Sequence, residues 1–127
     1  MKIIKKVIDW KKKIFLVRMN LDRNTDDIWN IYNLLNTGDF ITGTCHRKVQ
    51  KELQNITKIE KKIITCTLQI KSFQYDAEND SLRINGINAR ESKWIGIGMT
   101  QAMDIQPPRQ IMIVKREFDS IHVKRLQ

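Results

Sequence analysis

Six cations crowd residues 47–62: Arg47, Lys48, Lys51, Lys58, Lys61 and Lys62, opposed there only by Glu52 and Glu60. Lys and Arg neutralise phosphate, and a segment carrying several of them can follow a nucleic-acid backbone without reading bases. The nearest aromatic rings are Phe40 and Phe73. Stacking on single-stranded bases would need rings interleaved with the cations, so recognition of backbone and shape fits better. These six residues are the candidate phosphate-binding set.

Other constellations fail on spacing. Asp76, Glu78 and Asp80 match the start of a calcium loop, but the sixth position is Ser81 rather than Gly and the twelfth is Ile87 rather than Glu. An acidic turn accounts for them. Gly96-Ile97-Gly98 lacks the third glycine of a dinucleotide fingerprint, and no Walker A motif occurs. Cys45 and His46 are neighbours, which on a strand point to opposite faces. Cys66 reads as a small core residue, and His122 is alone. The residues themselves assign no catalytic group, no cofactor and no metal ligand.

The elements that position the cations follow from period and turn chemistry. Lys13 to Met19 reads as a strand. Asn24 or Thr25 can cap a helix over residues 25–36, with Asp26 and Asp27 favourably placed at its positive end. Ile28, Ile31, Tyr32 and Leu35 form its apolar stripe, flanked by Trp29 and Leu34, and Gly38 supplies a left-handed stop. Phe40 to Val49 is extended. Gln50 to Glu60 lacks a sustained stripe and reads as a loop or loose hairpin tip. Ile64, Cys66, Leu68 and Ile70 alternate with polar residues, as in a half-buried strand. Asp76 to Asp80 turns the chain into a strand over Ser81 to Asn88, with Leu82 and Ile84 inward and Arg83 and Asn85 outward. Trp94 to Met99 carries a glycine bend, and Pro107-Pro108 separates strands over Ala102–Ile105 and Gln110–Lys115. A last strand covers Phe118 to Val123. One helix and six or seven short strands predict a mainly β fold, a small barrel.

Composition agrees. The chain has 127 residues, one domain's worth, with 41% hydrophobic residues and a net charge of +9. Met1 to Lys13 holds six bases against one acid, and Lys115 to Gln127 holds four against two. Outside these ends and the middle segment, seven bases face nine acids. The surplus thus belongs to three segments and calls for a polyanionic partner. No apolar run approaches the roughly 18 residues of a transmembrane helix, and Ile14 to Val17 is too short for a signal-peptide core. No basic amphipathic helix suggests a membrane surface. Two cysteines make no framework and suit a reducing compartment.

An ordered set of residues resembles the Pelota N-terminal domain family. It runs through residues 28–35, Gly38-Asp39, Arg47 to Gln50, Thr67-Leu68 and Phe73 to Asp76. It continues through Leu82 to Gly86, Asn88, Gly98, Arg109-Gln110 and Lys115 to Ser120, and so covers essentially the whole chain. The resemblance implies an Sm-like β-barrel in a cytoplasmic ribosome-rescue factor related to class 1 release factors. It also implies two further domains that this chain lacks, and an elongation-factor-like GTPase as partner. The implied role is recognition of ribosomes stalled with an empty A site, starting no-go and non-stop mRNA decay. In such a domain a basic loop meets ribosomal RNA and the mRNA channel of the decoding centre. By position, Arg47, Lys48 and Lys51 open that loop, while Lys58, Lys61 and Lys62 lie on its return.

No Gly-Gly-Gln hydrolysis motif occurs, and Gln69-Ile70-Lys71-Ser72 only nearly spells the release-factor Asn-Ile-Lys-Ser. It lies in a periodic strand, so the match is coincidental. The family also implies a divalent-metal endoribonuclease as a rival reading, with Asp76 and Asp80 to be tested. A protein-interaction module, using Trp10 or Trp94, is the third.

Overall fold

The computed structural model describes residues 2–23, 26–53, 56–91 and 95–115, with the backbone alone over 48–53 and 56–61. Within these described residues, seven strands and one helix follow one another as β1 (Lys2–Asp9), β2 (Ile14–Leu21), α1 (Asp27–Leu34), β3 (Phe40–Leu53), β4 (Ile56–Asp76), β5 (Ser81–Asn88), β6 (Thr100–Ile105) and β7 (Arg109–Lys115). All pair antiparallel in a single sheet of order β1-β2-β7-β3-β4-β5-β6.

Alternation builds the inner face. Phe15, Val17, Met19 and Leu21 of β2 are buried, as are Ile64, Cys66, Leu68 and Ile70 of β4, Leu82 and Ile84 of β5, and Ile111 and Ile113 of β7. Each such side chain contributes about 1.5–3 kcal/mol on leaving water. A bulge between Ile70 and Ser72 shifts the parity of β4, so Phe73 and Tyr75 also turn to the core side. The helix covers one end of this core with Ile28, Ile31 and Leu34. Leu34 therefore belongs to the buried stripe, and Tyr32 packs beside it. Trp29 stays 47% exposed, stacked on Tyr32 with ring centroids 5.8 Å apart.

The sheet curls until β6 returns to β3. Gln101 Nε2 donates to the His46 carbonyl at 3.1 Å, and the Arg47 guanidinium donates to Gln101 Oε1 at 3.0 Å. Side chains thus close the barrel where the backbone ladders do not. The mainly β, Sm-like barrel with one helix is what the sequence predicts.

Several local expectations change. The expected caps Asn24 and Thr25 lie outside the described residues. Asp26 is the N-cap and makes no side-chain capping bond, whereas the buried Asp27 carboxylate accepts the Asp22 N–H at 2.8 Å. Gly38 does have a left-handed φ of +92°, but it turns the chain into β3 rather than ending the helix, which stops at Leu34. β1 emerges where the sequence shows only a lysine run. Cys45 and Cys66, counted separately in the sequence, meet across β3 and β4 in the core with Cα atoms 6.6 Å apart, within disulfide reach. Their position, rather than their number, decides what they can form. The expected strand over Phe118 to Val123 and His122 lie outside the described residues.

Candidate RNA-binding arm

Residues 50–60 form no loop. β3 and β4 stay in register from Phe40↔Gln69 outward to Leu53↔Ile56. β3 pairs with β7 only as far as Thr42, and β4 pairs with β5 only from Leu68. Past those points the two strands run on as a two-stranded arm. From Lys48 to Leu53 they extend about 20 Å at ~3.4 Å per residue. A ribbon that has left the ladders of β5 and β7 needs no alternating apolar pattern, and the segment lacks one. Its Val49, Ile56, Thr57 and Ile59 are strand formers all the same.

The register brings the six cations together in pairs. Arg47 lies opposite Lys62, Lys48 opposite Lys61, and Lys51 opposite Lys58. All six sequence-selected residues thus fall into three cross-strand pairs of like charge. Like charges directly opposite destabilise a hairpin unless something offsets them. Arg47 sits half-buried at the root, where its guanidinium also donates to the Thr100 carbonyl at 3.3 Å. That contact ties the base of the arm to β6. Outside the sequence-selected six, Arg109 at the start of β7 donates to the Thr44 and Asp104 carbonyls at 3.3 and 2.6 Å. Its only sequence signals are its charge and its place in the resemblance set.

The remaining candidate chemistry stays apart. Cys45 is buried while His46 is exposed, so the two face opposite ways. Asp76 is committed to its own turn, its Oδ1 accepting the N–H groups of Glu78 and Asn79 and its Oδ2 the Asn79 amide at 2.7 Å. The Asn79 side chain, helped by these backbone donors, holds the Asp76 carboxyl below its ordinary value. Among the described residues, no three His, Cys, Asp or Glu side chains gather where they would hold a metal ion. Gln69 to Ser72 lies inside β4, with Ile70 fully buried, so it is no presented reading loop. No helix among the described residues is long and apolar enough to cross a membrane.

Comparison with known proteins follows the same lines. The family model for the Pelota N-terminal domain matches residues 1–127. A pelota homolog from Xenopus laevis is 29% identical over 128 residues, covering 100% of this chain and 33% of its own length. One from Caenorhabditis elegans is 32% identical over 127 residues, covering 99% and 33%. The chain therefore spans about a third of the length of the curated relatives it matches. Among solved structures, S. cerevisiae Dom34 superposes with a TM-score of 0.73 at 16% identity, over 99% of this chain and 32% of that one. It is described as a translation termination-like factor involved in RNA quality control pathways and interacting with Hbs1. A structure of ribosome-bound archaeal Pelota and ABCE1 gives 0.71 at 20% identity, over 100% and 35%. At such identities the superpositions establish a shared fold. Sequence and fold together place this chain in the Pelota N-terminal domain family.

Proposed function

We propose that this domain binds RNA at the ribosomal decoding centre, as the N-terminal unit of a rescue factor that recognises ribosomes stalled with an empty A site. The observation that carries this reading is the arm, where three like-charged cross-strand pairs extend beyond the barrel. Arg47, Lys48, Lys51, Lys58, Lys61 and Lys62 contact phosphates of ribosomal RNA and the mRNA channel, without base readout. Family membership and the fold shared with ribosome-bound archaeal Pelota support the target. By the same likeness, the whole protein works in the cytoplasm with an elongation-factor-like GTPase and starts no-go and non-stop decay.

Cosedimentation with ribosomes at moderate salt tests the reading. Replacing Arg47, Lys48 and Lys51 together by Ala should weaken association several-fold, and unchanged cosedimentation would remove the arm from the interface. Metal-dependent cleavage of single-stranded RNA by the purified domain, abolished by Asp76→Ala or Asp80→Ala, would replace binding with catalysis as its role.

A further inference from the structure

The basic N-terminal run has no part in the arm, yet the topology gives it a place. β1 pairs with β2 through a bulge at Ile4, because Ile3 faces Met19 and Lys5 already faces Arg18. In an unbulged strand Lys5 would share the inward side of Ile3. The extra residue turns it outward instead. Lys5 and Arg18 are both exposed and directly opposite, with no acid between them. The same cross-strand row continues through Met112 on β7 and Thr42 on β3.

A groove of about 570 Å³ opens beside this row, lined by Arg18, Thr42 and Met112 of the outer face and by Arg109 and Ile111, whose register places them on the core side. It lies where β3 parts from β7 beyond the Thr42↔Met112 pair. Arg18 stands on one wall and the hydroxyl-bearing Thr44 and Thr65 on the other, with Arg109 between them at the parting of the strands. None of its described lining residues is acidic. Arg109 is anchored through one terminal nitrogen to two carbonyls, which leaves three of its five N–H donors without a partner among the described residues. Two guanidiniums and two hydroxyls around a groove of this size match a phosphodiester, which guanidinium binds in a fork and hydroxyl by donation. Thr44 and Thr65 are register partners only four positions from the Lys48↔Lys61 pair, so the groove leads into the root of the arm.

We propose that this groove and the outer row beside it form a second phosphodiester site, in which Lys5 and Arg18 on the outer face and Arg109 in the gap between β7 and β3 hold the backbone of the RNA strand bound by the arm. The inference rests on the RNA-binding reading of the arm and adds a site to it. The domain then grips RNA at two places rather than at one tip.

The test is the salt dependence of binding to a labelled single-stranded RNA, followed by fluorescence anisotropy with the whole chain. Each lost phosphate contact lowers the slope of log affinity against log salt by about 0.7. The double variant Lys5→Gln/Arg18→Gln should bind several-fold more weakly at low salt and lose about 1.4 from that slope. Its loss should add to that of Lys48→Gln/Lys61→Gln, since separate contacts are roughly additive. Arg83→Gln, which removes an exposed arginine paired with Asp104 on β6, should change neither value. Wild-type binding that weakens in the arm variant but not in Lys5→Gln/Arg18→Gln overturns the second site and leaves the arm in place. Absence of wild-type RNA binding overturns both. Polyglutamate displacing RNA at equal charge concentration would make this face a protein-docking surface and also overturn the inference.

Discussion

The Lys115 ammonium, fully buried, donates to the carboxylate of Asp39 inside the barrel. It also donates to the Leu34 carbonyl at 2.8 Å, at the C-terminal end of α1, where positive charge suits the helix dipole. Asn36, with its amide turned to satisfy both neighbours, accepts from the same ammonium at 3.2 Å. One lysine thus fastens β7 to the end of the helix. Removing one partner leaves an uncompensated buried charge, so Lys115→Met or Asp39→Asn should destabilise by about 3–5 kcal/mol. The double replacement should recover part of that loss. Urea denaturation of the three variants checks this, and a double loss equal to the sum of the two single losses would deny the coupling.

Asn88 holds the crossing between β5 and β6 in a similar way. Its buried amide donates to the carbonyls of Arg90, Ile95 and Gly96 at 2.7, 3.3 and 3.0 Å. Asn88→Ala should cost about 1–3 kcal/mol by orphaning those acceptors. Asn88→Asp should cost more, because a carboxylate would then face carbonyl oxygens. Hydrogen exchange at Gly98, whose N–H donates to the Asn88 carbonyl at 2.9 Å, should quicken in both.

Gly86 marks a close approach of β5 to β4. A Cβ there would lie 2.5 Å from the Gln69 carbonyl oxygen, a backbone atom that cannot move aside alone. Gly86→Ala should therefore destabilise by about 1–3 kcal/mol through overpacking. Unchanged thermal unfolding would show that the ladder relaxes there.

The β4–β5 turn gives a titration signature. Asn79 holds the Asp76 carboxyl below its ordinary value of 3.8. A lowered folded value means that the stabilisation is complete above the unfolded value and disappears as pH falls through the folded one. Asn79→Ala should move the Asp76 midpoint up towards 3.8, as read by carboxyl carbon NMR, and the stability gap between variant and wild type should close in acid. An unmoved midpoint would contradict the hydrogen bond.

What was legible in the sequence depended on whether an element has a dry face. α1 and β4 bury a stripe, so Ile28 and Ile31, and the alternation from Ile64 to Ile70, announced them. β1 is an edge strand whose bulge at Ile4 breaks its period, and its lysines hid it. The arm runs on beyond its ladders with β5 and β7, so its cations read as a loop. Charge alone was enough to select Arg47, Lys48, Lys51, Lys58, Lys61 and Lys62, but their opposition in pairs depends on register, which no local pattern encodes. Arg18 stayed invisible for a like reason, and Arg109 stood out only within the family resemblance. Only the parting of β3 from β7 brings them to one groove.

The salt dependence of RNA affinity on neutralising the arm bears most directly on the function. Lys48, Lys51, Lys58 and Lys61 can be changed to Gln together while Arg47 keeps its contacts with Thr100 and Gln101 at the root. If the arm carries the phosphate contacts, the slope of log affinity against log salt should fall by about two to three units, at ~0.7 per contact. Circular dichroism should show the barrel intact. An unchanged slope and affinity in that folded variant would contradict an RNA-binding arm.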